Sequence, residues 1–150
     1  MNKTPEEIEF ETKKEVWNYY RLQDNSLLRA KSVLVKVIKT IDKNGKPNIL
    51  VTTSNIFGVS SPKNLKGQPS TQKPTTLSEH IVDEDIDFKP EREEQWNEYT
   101  LQDGTILKTK LIPIKVSRTS FYDPAGDPIY IIEYETIVKT KTSPKTKYKN

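Results

Sequence analysis

Few residues in this chain of 150 have the types and spacing that catalysis needs. His80 is the single histidine and cysteine is absent, so a nucleophile beside an imidazole base would have to be built around one position in an acidic stretch. Carboxylates cluster as Asp83-Glu84-Asp85-Asp87 and alternate as Glu133/Glu135. The first group reads as solvated acids on a linker and the second as an exposed strand face, not as an acid and base flanking a scissile bond. The acidic run could catch a hard divalent cation weakly, but it lacks the glycine and terminal glutamate of an EF-hand loop. One histidine without cysteines supplies no zinc cage. The five glycines form neither a GxGxxG nor a GxxxxGK(S/T) loop. The chain is therefore read as non-enzymatic, with no catalytic, metal or cofactor residue assigned and no cofactor expected.

Recognition chemistry has more material. Trp17-Asn18-Tyr19-Tyr20-Arg21-Leu22-Gln23-Asp24 combines large amphipathic rings with polar groups, which suits a stacking or peptide-binding platform. The bases Arg29, Lys31, Lys36, Lys39, Lys43 and Lys46 follow it and could track phosphates, with Tyr19 and Tyr20 available for stacking. Lys108 and Lys110 occupy the corresponding ends of a second such segment. The expected binding surface is Arg29, Lys31, Lys36, Lys39, Lys108, Lys110, Tyr19 and Tyr20. The alternative for the Trp motif is structural: Trp17 and Leu22 anchor a sheet, and Asp24 opens a turn. That reading is preferred, because a duplicated module must keep folding while a binding surface is free to diverge in one copy.

The duplication is explicit. The motif returns 79 positions later as Trp96-Asn97-Glu98-Tyr99-Thr100-Leu101-Gln102-Asp103, and over 17–41 against 96–120 the register needs no gap, with 11 of 25 pairs identical. A shift of two then aligns Gly45-Lys46-Pro47 with Gly126-Asp127-Pro128. In each copy a first strand runs to Asp24-Asn25 or Asp103-Gly104, read as a type I′ hairpin turn. A long second strand follows, at 27–40 and 106–119, then a turn and a third strand, at 49–57 and 129–138. Each copy is expected to be a three-stranded antiparallel meander. In the second strand the period-2 face Arg29, Lys31, Val33, Val35, Val37, Lys39 is read as buried at its middle and solvated at its basic ends. Pro113, opposite Leu34, marks an edge or a bulge and predicts a bend.

Each repeat alone is near the size that needs disulfides or metals to fold, so the two should share a core. The expected class is all-β: two duplicated meanders in one pseudo-twofold, six-stranded barrel or sandwich. The expected division is an acidic leader at 1–16, repeats at 17–59 and 96–138, a Pro/Ser/Thr-rich then acidic linker at 60–95, and a basic, disordered tail at 139–150. The leader reads as frayed or as one short helix, and the second half of the linker could dock a strand or short helix.

Apolar residues make up 33% and mean hydropathy is −0.76. No run is long and apolar enough for a membrane span, and the N-terminus is too acidic for a signal peptide, so a cytoplasmic location and no membrane partner are expected. Net charge is +3 with pI near 8.9, but repeat one carries +5 and repeat two −2. With 21 acids, the chain lacks the overwhelming basicity of many nucleic-acid binders. A protein partner or self-association is the favoured reading, with nucleic-acid binding through repeat one and the tail as the alternative.

Overall fold

In the computed structural model, residues 5–71 and 75–142 are described. They form an all-β fold with ten strands: β1 (Glu6–Ile8), β2 (Phe10–Lys14), β3 (Asn18–Leu22), β4 (Leu27–Ile41), β5 (Pro47–Ser60), β6 (Ile81–Asp83), β7 (Phe88–Pro90), β8 (Asn97–Leu101), β9 (Ile106–Tyr122) and β10 (Pro128–Lys141). The strands make two antiparallel five-stranded sheets. In the first, β4 pairs with β5 along one flank and with β3 and β1 along the other, and β7 adds to β3. In the second, β9 pairs with β10 on one flank and with β8 and β6 on the other, and β2 adds to β8. The expected six strands are thus ten, and no closed barrel forms among the described residues.

The additional four strands come from segments expected to be leader and linker. Residues 6–14 are strand, neither frayed nor helical. They pair first with β4 and then, after Glu9, with β8 of the other sheet. The linker does the converse, through β6 on β9 and β7 on β3. Matching apolar residues drive both docks: Ile8 and Ile86 are buried, Phe10 meets Tyr99 edge-on at 5.8 Å, and Phe88 meets Tyr20 edge-on at 5.9 Å. A 3-10 turn at Leu77–His80 precedes β6. Of the expected tail, Lys139 to Lys141 belong to β10, and 143–150 lie outside the described residues.

The hairpin turns differ from expectation. At Asp24-Asn25 only Asn25 has positive φ, 70°, whereas a type I′ turn needs two such residues. Leu22 N–H donates to Ser26 C=O and Asn25 N–H to Leu22 C=O, a type I turn closed by one left-handed residue. The same pair of bonds recurs at Leu101/Thr105, Asp42/Lys46 and Asp123/Asp127, with Gly104, Gly45 and Gly126 as the left-handed residue. An aspartate oxygen accepts the backbone N–H two residues ahead in all four.

The buried face of the long strands also differs. Leu28, Ala30, Ser32 and Leu34 point inward, as do Leu107, Thr109, Leu111 and Pro113, while Val35 is 54% exposed and Ile114 is 50% exposed. A bulge explains the reversal. Register slips by one residue between Leu34 and Lys36, and between Pro113 and Lys115, so inward parity passes from Leu34 to Val37 and from Pro113 to Val116. Both valines are fully buried. The bend expected near Pro113 is a bulge, and Pro113 sits where β9 has no strand partner between β8 and β6.

Two hydrophobic clusters result, and each mixes the repeats. One joins Tyr20, Leu22, Leu28 and Ala30 to Leu111, Val116 and Ile86, and the other joins Tyr99, Leu101 and Leu107 to Leu34, Val37 and Ile8. Neither repeat owns a core. Between the clusters lies a polar layer in which Asn18 exchanges two bonds with the Gln95 backbone. Asn97 accepts from Val16 N–H and donates to Ser32 C=O and Thr109 Oγ1.

Candidate binding surface

The Trp-Asn-x-Tyr-x-Leu element divides by parity. Asn18, Tyr20 and Leu22 face inward from β3 and Asn97, Tyr99 and Leu101 face inward from β8, all buried. Tyr20 donates its hydroxyl to Glu94 at 2.5 Å and Tyr99 donates to Glu15 at 2.6 Å. Burial first, and then the facing carboxylate, pushes both phenol pKa values well above the ordinary 10.0. Tyr20 is only 2% exposed and therefore offers no face for stacking. It leaves the expected binding surface and joins the core.

The tryptophans go the other way. Trp17 is 38% exposed, so it is no core anchor. Lys31 Nζ lies 5.7 Å from its ring centroid. Trp96 is half-buried under two lysines, Lys110 at 5.2 Å and Lys139 at 4.8 Å. Around Trp17 the outward positions of the first sheet are Tyr19, Arg29, Lys31 and Val33, with Ile56 of β5 opposite Lys31. The Arg92 guanidinium covers Tyr19 at 4.5 Å from the ring centroid. Arg29 lies against Gly58, where a Cβ would come within 3.2 Å of its Nη2, and donates to Ser60 Oγ at 3.1 Å. Arg29, Lys31 and Tyr19 thus share one outward face.

The remaining expected bases are placed against acids. Lys36 lies 3.9 Å from Glu7, Lys39 3.2 Å from Asp103, Lys108 3.7 Å from Glu98 and Lys110 4.0 Å from Glu94. A polyanion would have to compete with carboxylates at each of these positions. Lys108 and Lys110 lie on the other sheet and do not join the Trp17 face. Beside Trp96 a shallow depression of about 510 Å³ is lined by Glu93, Glu94 and Glu98 as well as Lys14 and Lys108.

Two of the acids considered for chemistry, and the histidine, are also engaged. Asp83 lies 3.7 Å from Arg118, Glu84 3.1 Å from Lys115, and the His80 ring packs edge-on to Phe121 at 4.8 Å. A polar cluster that sequence reasoning missed joins the repeats: Asp24 accepts from Arg118 at 3.0 Å and from Tyr130 at 2.7 Å, and Ser26 contacts Ser61 and Tyr130. Burial alone would raise the Asp24 pKa, but bonds from Tyr130, Ser26 and Arg118 outweigh it and hold the carboxyl below its usual value. The matched pair, Lys39 with Asp103, is more exposed. Its spacing was legible, because Lys39/Arg118 and Asp24/Asp103 are both 79 apart.

No protein-family model matches this chain, and no curated protein or solved structure is significantly similar to it.

Proposed function

We propose that this chain is a cytoplasmic, non-enzymatic interaction or assembly module whose two duplicated units form a pseudo-twofold sandwich. It meets a protein partner through the outward face of the first sheet, with Trp17, Tyr19, Arg29, Lys31 and Ile56 as the contact residues. The observation that carries this reading is the exposure of Trp17 beside Lys31. Tryptophan, tyrosine and arginine are the side chains that dominate protein interfaces when they lie near the centre of a patch. Among the described residues no helix is long and apolar enough to cross a membrane.

The alternative, nucleic-acid binding through repeat one and the C-terminal tail, draws on the same aromatic and basic pairing. The acids beside Lys36 and Lys39 weigh against it.

Capture from native lysate, with and without nuclease, tests the choice. A nuclease-resistant protein should be retained by the parent and by Trp96→Ala, and lost with Trp17→Ala and Lys31→Glu. Release by nuclease would favour the alternative, and equal retention by all four forms would remove the Trp17 face as the contact surface.

A further inference from the structure

The two long edge strands are equal in length and opposite in protection. β5 and β10 each run for 14 residues, and among the described residues each pairs with one neighbour only, β4 and β9. Their far edges present unpaired backbone donors and acceptors, the arrangement that templates the addition of another strand. Natural edges are usually guarded by charge. β10 has such guards in Glu133, Glu135, Lys139 and Lys141, whereas β5, Pro47-Asn-Ile-Leu-Val-Thr-Thr-Ser-Asn-Ile-Phe-Gly-Val-Ser60, has no charged residue along its whole length.

We propose that β5 is a dimerisation edge, where a second copy of this chain adds its own β5 antiparallel across a twofold axis and joins two five-stranded sheets into one of ten strands. Self-pairing is what the composition fits. A strand laid antiparallel on itself over its full length brings residues equidistant from its centre face to face. In β10 an axis through Tyr134, half a residue from the strand's midpoint, juxtaposes Glu133 and Glu135, and like charges directly opposite are destabilising. In β5 nothing repels. A pairing centred on Thr53 sets Leu50 of each copy opposite Ile56 of the other, and these two side chains are 50% and 43% exposed in the single chain. The symmetry is also the commonest one for homo-oligomers, since one patch serves both partners. Pro47, which has no N–H to give, falls at the end of the paired stretch.

This proposal deepens the assembly half of the function proposed above and rests on it for the nature of the partner, but it uses the free edge of β5, which shares only Ile56 with the Trp17 face. The test is the mass of the intact chain in solution, by sedimentation or light scattering, at roughly 100 µM, above the Kd of even a micromolar contact. The parent should have the mass of two chains. Thr52 and Ser54 are exposed, so Thr52→Lys with Ser54→Lys should leave the monomer folded while setting lysines opposite each other twice across the axis. Association should weaken by at least about tenfold. The matching Thr52→Glu/Ser54→Glu variant should also be monomeric alone, and an equimolar mixture of the two should recover the two-chain mass. A monomeric parent, a lysine variant that stays dimeric, or a mixture that stays monomeric would each overturn the proposal. Should either variant fail to fold, amide exchange of the parent decides: protection of β5 that rises with concentration while β10 stays constant supports it, and no rise overturns it. Loss of partner capture on Trp17→Ala leaves this mass unchanged, so failure of the binding face and failure of the β5 edge are read separately.

Discussion

Removing one hydroxyl should reveal how the halves are joined. Tyr20→Phe deletes the 2.5 Å bond to Glu94, and Tyr99→Phe deletes the 2.6 Å bond to Glu15. A hydrogen bond to a charged group contributes roughly 1.5–3 kcal/mol. Glu15 keeps a second donor, Leu34 N–H at 3.2 Å. At the matching position Pro113 has no N–H, and among the described residues Glu94 has, besides Tyr20, only Lys110 at 4.0 Å. Tyr20→Phe should therefore cost the upper part of that range and Tyr99→Phe the lower part. At about 2–4 °C per kcal/mol for a chain of this size, the Tm should fall by roughly 5–10 °C and 3–6 °C. Urea unfolding of Tyr20→Phe, Glu94→Gln and the double variant forms the cycle, with an expected coupling of about 1–2 kcal/mol. Additivity within about 0.5 kcal/mol would show that the bond contributes nothing and refute the argument. The same bonds set an alkaline limit. Both phenols hold their protons above the ordinary pKa of 10.0 in the folded chain, so their contribution is whole below pH 10 and is lost as pH rises beyond it. The two Phe variants should each flatten that loss.

Three further outcomes are expected. Arg118→Ala, which removes the cation paired with the largely buried Asp24 and leaves it only the bonds from Tyr130 and Ser26, should cost roughly 2–4 kcal/mol, whereas the matched Lys39→Ala should cost less than about 1 kcal/mol because its pair with Asp103 is solvated; equal melting temperatures would contradict this. The Asp24 and Asp103 carboxyls are held below their usual 3.8, so their stabilisation is present above that pH and disappears as pH falls below it. Acid unfolding should begin there and be blunted by Asp24→Asn, as followed by circular dichroism. Trp17→Ala should cost under about 1 kcal/mol while Leu22→Ala costs roughly 2–5 kcal/mol, and a fragment of residues 92–150 should give a collapsed amide spectrum, since its cluster requires Ile8, Leu34 and Val37.

The all-β class and the turn positions were legible because aspartate and glycine punctuate strands of clear length. The inward face of β3 is legible too: identity between the copies at 18, 20 and 22 has the period of a strand face, while Tyr19/Glu98 and Arg21/Thr100 diverge. The inward face of β4 was not legible by alternation, because an extra residue at Val35 or Ile114 inverts parity half-way along. The leader strands are not legible by pattern, because Glu6, Glu7, Glu9 and Glu11 mask Ile8 and Phe10, whose counterparts Ile86 and Phe88 lie 78 positions on. Of the candidate surface, the grouping of Tyr19, Arg29 and Lys31 followed from strand pairing. The fate of Lys36 and Lys39 depended on acids distant in the chain.

The crossing of leader and linker between sheets bears on ancestry. One unit, taken as leader plus meander, places its Phe10 or Phe88 on the other unit's tyrosine and its Glu15 or Glu94 on that tyrosine's hydroxyl. Alone, it would leave an apolar strand undocked and a buried phenol unpaired. A forebear with a single copy of this unit could satisfy those groups only by exchanging leaders with a twin, as an obligate, strand-swapped homodimer. Gene fusion would then have tied the two twins together, and residues 60–80 are where that seam would lie. In such a history the halves, once covalently joined, would be released from the demand of being identical. The drift of Leu34 to Pro113, of Lys39 to Arg118 and of a neutral β5 to a charged β10 is the kind of divergence that such release permits.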